Sequence, residues 1–212
     1  MARKRGSSGR WLAEHERDPY VQRARREGRV ARSAYKLAEV DERDRLFRPG
    51  MVVVDLGAAP GGWSQYALER VGERGRVVAL DLLPLELSGP DFIQADIEDE
   101  AAVASLHEHL SGAPVSLVMS DMAPNFSGMR AVDQPRSMAL AELALDFALE
   151  VLDDRGKFLV KVFQGEGFDV YKRLLHTHFK RVLVRKPRAS RDRSRELYLL
   201  AEDRKVPLAR PE

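Results

Sequence analysis

A chain of 212 residues with 44% apolar content suits one α/β domain with a sizeable core and small extensions at its ends. It contains no cysteine, which excludes disulfides, thiolate metal sites and every mechanism with a cysteine nucleophile. The net charge of +2 hides a segregation: residues 1–36 carry eleven Lys/Arg against four Asp/Glu, residues 172–195 ten against one, and residues 37–171 eleven against twenty-four.

Two basic flanks around an acidic body are the electrostatic footprint expected for a polyanion, with nucleic acid the first candidate. Two solvated basic faces would give the same counts. No apolar run approaches membrane-spanning length, and the basic start has no apolar stretch behind it. The expectation is a cytoplasmic protein without a membrane anchor or secretory signal.

Residues 1–30 interleave Arg, Gly and Ser with Trp11 and Tyr20, which suits phosphate contact and base stacking. The expected organisation is a basic, partly mobile RNA-contacting extension over 1–30, a main domain over 31–202 and a polar tail over 203–212. A helix is predicted over 33–47, stopped by Arg48-Pro49-Gly50.

The stretch 51–63, M-V-V-V-D-L-G-A-A-P-G-G-W, then reads as a buried strand, a glycine loop and the start of a helix. A dinucleotide fold uses G-x-G-x-x-G, with free N–H groups facing a pyrophosphate. Here Ala59 takes the place of the second glycine and Pro60 removes an N–H. The loop therefore argues for a cofactor with an adenosine and no phosphates, such as S-adenosylmethionine, and against a nicotinamide oxidoreductase. An ordinary tight turn could also carry Gly61-Gly62.

Further strands are predicted over 76–80, 92–95, 115–120, 157–163, 180–184 and 195–201, and helices over 99–110, 135–152 and 168–178. The first four strands each carry an aspartate at or just past the C-terminal end: Asp55, Asp81, Asp96 and Asp121. Open α/β sheets bind ligands outside that end, and an acid about 20 residues past the first glycines is placed for ribose hydroxyls. One such acid could be a turn or cap residue; four in register point to a site. Lys161 lies inside F-L-V-K-V-F, where it either reaches a polar site or marks an edge strand with the lysine outward. No His/Asp/Glu spacing makes a metal site.

With D-L-G-A-A-P-G-G-W-S-Q-Y, S-D-M-A-P-N, V-K-V-F-Q-G-E-G-F-D and R-S-R-E-L-Y in order, the chain resembles the FtsJ family, also called RrmJ or RlmE. The resemblance runs from about residue 10 to 201 and lapses over 85–91 and past 203. These are bacterial heat-shock methyltransferases of the 2′-hydroxyl of a uridine in the A loop of 23S ribosomal RNA. The resemblance implies a Rossmann-like methyltransferase fold with a seven-stranded mixed sheet, its last strand antiparallel. It implies S-adenosyl-L-methionine as cofactor, held at Gly61, Trp63, Asp81, Asp96 and Asp121. It also implies a catalytic tetrad at Lys36, Asp121, Lys161 and Glu196, and 23S rRNA in the 50S subunit as partner, met by a monomer.

The chemistry fits those residue types. Methyl transfer to a ribose oxygen is an in-line displacement in which the hydroxyl loses its proton. Lys161 either accepts that proton, which requires it neutral, or stays charged beside the developing alkoxide. Lys36 and desolvation favour the neutral form, Asp121 and Glu196 the charged one. Four rivals can be weighed, the first two of which the sequence disfavours. A carbon-5 pyrimidine methyltransferase lacks its cysteine, and an adenine amino-methyltransferase would carry Asp/Asn-Pro-Pro-aromatic where this chain has Asp121-Met-Ala-Pro-Asn125. A relative acting on tRNA or an RNA cap would share the tetrad, whereas a non-catalytic ribosome-assembly factor would not need it.

Overall fold

The computed structural model describes residues 16–191 and 194–205. Trp11, half of the expected 1–30 extension and most of the expected 203–212 tail lie outside the described residues. Helices α1 (Pro19–Glu27) and α2 (Ala34–Asp44) lead into β1 (Val52–Leu56), α3 (Gly62–Val71), β2 (Arg76–Asp81) and β3 (Asp91–Gln94). There follow α4 (Glu100–Leu110), β4 (Val115–Ser120), α5 (Arg130–Val151), β5 (Leu152–Phe163), α6 (Phe168–His178), β6 (Phe179–Arg185) and β7 (Glu196–Arg204).

The seven strands form one sheet in the order β3-β2-β1-β4-β5-β7-β6. Strands β1 to β5 pair in parallel, while β7 runs antiparallel to both β5 and β6. This is the expected seven-stranded mixed sheet with an antiparallel last strand. The central strands are largely apolar because both faces are covered, with Asp55 on β1 and Lys161 on β5 as buried exceptions. One face packs Leu106, Leu145 and Leu175 from α4, α5 and α6. The other packs Leu37, Trp63 and Tyr66 from α2 and α3. The order reverses direction between β1 and β4, and a crevice for a ligand opens at such a switch point.

Two helix boundaries differ from the sequence reading, each for a local reason. Helix α2 ends at Asp44 instead of residue 47, because Arg45 turns left-handed (φ 50°). The buried Asp41 then accepts the N–H groups of Leu46 and Phe47 (2.8 and 3.2 Å), with Tyr66 Oη (2.9 Å) and Arg70 Nε (3.0 Å) on its other oxygen. Helix α5 begins at Arg130, five residues before Pro135, so the proline sits inside the helix instead of opening it. The Asp133 carboxylate accepts from Ser127 N, Ser127 Oγ and Gly128 N (2.8, 2.8 and 2.9 Å), anchoring the preceding loop to the first turn. Strand β5 also starts early. Val115 pairs with Leu152 and Leu117 with Lys157, so residues 153–156 bulge out around Gly156.

None of the described helices is long and apolar enough to cross a membrane.

Candidate active site

The site forms where the parallel strands end. Strand β1 delivers Asp55, fully buried beneath the glycine loop, and Ser64 Oγ on α3 donates to its Oδ2 (2.7 Å). Oδ1 has no partner. Burial pushes this carboxyl up to about 7, and the nearby Asp121 and Asp81 charges push the same way. Gly57 (φ 79°) follows, where a Cβ would lie 2.6 Å from Met122 Cγ and 2.9 Å from Met122 N. Only glycine lets the loops after β1 and β4 approach this closely.

Asp81 ends β2 and accepts from Ala59 N in the glycine loop (2.9 Å) and from Leu83 N (2.8 Å). Asp96 accepts from Glu98 N (3.0 Å). Both acids therefore hold turns at the carboxyl edge of the sheet, the turn role that the sequence also allowed. Their carboxylates keep spare lone pairs. Beside them Leu82 and Leu83 are 59% and 65% exposed. An edge with three acids and uncovered leucines suits a cationic ligand that carries an apolar ring and ribose hydroxyls. Trp63 contributes differently from the acids. Its indole is buried and its Nε1–H is committed to the Ser33 carbonyl (3.0 Å), so only its backbone is left for a ligand.

Lys36, Asp121, Lys161 and Glu196 converge next to this edge. Strand β5 lies between β4 and β7, which removes the alternative of an edge strand with Lys161 outward. Lys161 Nζ lies 3.1 Å from Asp121 Oδ1 and also donates to the Asp121 carbonyl. Lys36 Nζ, from the first turn of α2, lies 2.7 Å from Glu196 Oε1, which Ser190 Oγ also reaches (2.8 Å). Tyr198 links the two pairs: its hydroxyl donates to Asp121 Oδ1 (2.8 Å) and accepts from Lys36 Nζ (3.4 Å). Burial alone would raise the Asp121 carboxyl, but Lys161, Lys36 and the Tyr198 hydroxyl hold it below the ordinary carboxylate range. Burial, with the Asp121 and Glu196 charges, drives the Tyr198 phenol well above its usual value and keeps it a proton donor.

Tyr198 is the residue that sequence reading missed. Its signal was available: it stands two places after Glu196 in a strand, so both side chains share one face. The register confirms it, pairing Tyr198 with Lys161 and Glu196 with Phe163. The result is a nearly dry, charge-balanced network of two ammonium groups, two carboxylates and a phenol, able to move or stabilise charge at one point.

The basic flanks are brought together only in part. Arg32 pairs with Asp18 and donates to the Ala189 carbonyl, while Glu39 accepts from Arg188 N and Ala189 N (2.6 and 2.9 Å). The α1–α2 segment and residues 186–191 thus form one surface beside Lys36 and Glu196. The 172–195 stretch is not one patch, however. Strand β6 carries Arg185 opposite Tyr198, at the site's edge, and Arg181 opposite Glu202, toward the far edge. Several cations also serve the fold, with Arg185 on Asp44 (2.6 Å), Arg181 on Glu202 (3.4 Å) and Arg29 on Glu69. Arg25, Arg26, Arg188 and Arg195 are exposed and in no ion pair among the described residues. Among those residues no group of three or more His, Asp or Glu is arranged to hold a metal ion.

A family model described as FtsJ-like methyltransferase matches residues 29–204. The chain is 60% identical over 200 residues to the ribosomal RNA large subunit methyltransferase E of Alkalilimnicola ehrlichii, covering 94% of this chain and 96% of that protein. It is 59% identical over 198 residues to the protein of the same name from an Azoarcus species, covering 93% and 97%. Among solved structures, a Plasmodium falciparum protein assigned as a ribosomal RNA methyltransferase superposes with a TM-score of 0.75 at 25% identity, over 82% of this chain and 98% of that one.

Proposed function

This chain belongs to the FtsJ-like methyltransferase family, and we propose that it methylates the ribose 2′-hydroxyl of a uridine in the A loop of 23S rRNA. It does so on the 50S subunit, as a cytoplasmic monomer. The observation that carries this reading is the Lys161–Asp121–Tyr198–Lys36–Glu196 network beside an acid-lined crevice. The relatives named for large-subunit rRNA support the substrate class. The uridine and the A loop come from the resemblance described above.

The acids Asp81, Asp96 and Asp121 at this edge suit S-adenosylmethionine in charge. Its sulfonium and ammonium groups suit the acids, and its adenine suits Leu82 and Leu83. When bound, this cofactor supplies an electrophilic methyl group. Asp81 and Asp96 would hold its ribose and base side, and Asp121 with the backbone of Gly61 and Trp63 its amino-acid side. Lys36 and Glu196 set the ribose of the RNA against Lys161. Lys161 accepts the 2′-hydroxyl proton as the oxygen takes the methyl group, and Asp121 receives the resulting ammonium, so that charge is balanced at each point. The surface joining α1, α2 and residues 186–191 holds neighbouring phosphates.

Lys161→Ala and Lys161→Arg test this assignment. A proton acceptor predicts a loss of kcat of roughly 10²-fold or more in both, with cofactor affinity kept, because arginine carries charge but does not give it up. A lysine that acts only as a charge predicts that Lys161→Arg retains most of the rate. Its contacts with the Asp121 carboxylate and carbonyl favour that second reading. Loss of cofactor binding in either variant would overturn both.

A further inference from the structure

One large aromatic side chain at this edge has no task in the network. Phe126 lies on the loop between β4 and α5, five residues past Asp121, and is 56% exposed. Its ring packs edge-on against Phe163, with centroids 5.3 Å apart and planes at 81°. Phe163 is two residues beyond Lys161 on β5, so the two share a face, one strand step of about 7 Å apart. Phe126 therefore stands just outside the point where Lys161 meets a hydroxyl.

The loop is held and not merely exposed. Asp133 accepts from Ser127 N, Ser127 Oγ and Gly128 N. Those hydrogen bonds, the Ser127 N–H foremost, keep its carboxyl below the ordinary range. Next to it Gln134 Nε2 donates to the carbonyls of Phe163 and Glu166 (3.0 and 2.8 Å). A Cβ on Gly165 would lie 2.9 Å from Gln134 Oε1, so this clamp is tight. The first turn of α5 thus fixes both the loop that carries Phe126 and the loop that follows its buttress. An aromatic ring held at an active-site rim with an open face is costly in water unless something covers it. The cofactor acids Asp81, Asp96 and Asp121 end or follow β2, β3 and β4, whereas Phe126 packs on Phe163 at the end of β5.

We propose that Phe126, buttressed by Phe163, is the platform on which the base of the target nucleotide stacks once it is drawn out of its RNA stack. The inference rests on the RNA methyltransferase reading. A base joined to a ribose whose 2′-hydroxyl meets Lys161 lies a few ångströms from that hydroxyl, a span comparable to the single strand step between Lys161 and Phe163, on which the Phe126 ring packs. A stacked base gives position without choosing sequence, because every base has a π-face. Phe126 then fixes the ribose, and RNA folding chooses the nucleotide.

The test uses 50S subunits lacking the modification, with wild type, Phe126→Ala and Phe126→Trp. Removing one stacking contact lowers kcat/KM by about tenfold or more. Phe126→Ala should show that loss, Phe126→Trp should recover most of it, and both should keep wild-type melting temperature and cofactor affinity. Wild-type kcat/KM in Phe126→Ala, or a tryptophan variant no better than alanine, would overturn the proposal. So would a matching loss of cofactor affinity, which would put Phe126 on the cofactor. If the wild type itself methylates no RNA, the functional reading fails and the platform with it; methylation by wild type with an unaffected Phe126→Ala removes the platform alone.

Discussion

At the scale of single residues, the site is governed by what burial does to acids. Asp55 has a folded value of about 7 against an ordinary 3.8, so it prefers its proton in the native state. The stability this gives is fully present below about pH 4 and is lost as pH rises through 7, at roughly 1.4 kcal/mol per pH unit in between. Asp55→Asn has no proton to lose. Its stability relative to wild type should therefore climb between pH 5 and 7 in urea unfolding. Parallel curves would show that Asp55 is ionised throughout. Tyr198 makes a second case. Tyr198→Phe keeps the ring beside Trp63, whose centroid is 5.6 Å away, but removes a hydroxyl donated to the Asp121 carboxylate. A hydrogen bond to a charged group contributes about 1.5–3 kcal/mol, so a loss of that size in unfolding free energy and a fall in kcat are expected. Unchanged kcat would make Tyr198 a packing residue only.

At the scale of elements, the glycine loop decides whether the crevice exists. Gly57→Ala places a methyl against Met122 backbone at 2.9 Å and forces a side chain into φ 79°. Calorimetric titration of the cofactor should show affinity reduced at least tenfold; wild-type affinity would mean that the loops after β1 and β4 separate freely. Much of this was legible in sequence. Strand, glycine loop and helix follow from three valines, three glycines and the apolar face behind them, and the four strand-end acids locate the carboxyl edge of the sheet. What failed to show was long-range. The end of α2 is set by Asp41 capturing Leu46 and Phe47 N–H groups, together with Tyr66 and Arg70 from α3. Pro135 reads as a helix opener, but packing of α5 against β4 and β5 carries the helix past it. The tetrad itself came from resemblance, because residues 36, 121, 161 and 196 meet only when the sheet is built.

At the scale of the molecule, sequence charge counts overstate the free positive surface. Arg29, Arg32, Arg181 and Arg185 are spent on acids of the fold, whereas Arg25, Arg26, Arg173, Lys180, Arg188 and Arg195 are among the exposed cations in no ion pair among the described residues. RNA affinity should still fall steeply with salt, and the double variant Arg188→Ala/Arg195→Ala should flatten the slope of log K against log salt by about 1.5 to 2. A slope unchanged by those substitutions would move the RNA to another face.

The proposed reaction takes place at one point, and its most direct measurement is transfer of a labelled methyl group from S-adenosylmethionine to 50S subunits that lack the modification. Wild type should place label on one 23S nucleotide whose backbone then resists alkaline cleavage, since that cleavage needs a free 2′-hydroxyl, and Lys161→Ala should place none. Label on tRNA would keep the chemistry and move the substrate. Label in a base, or equal labelling by the variant, would contradict the account.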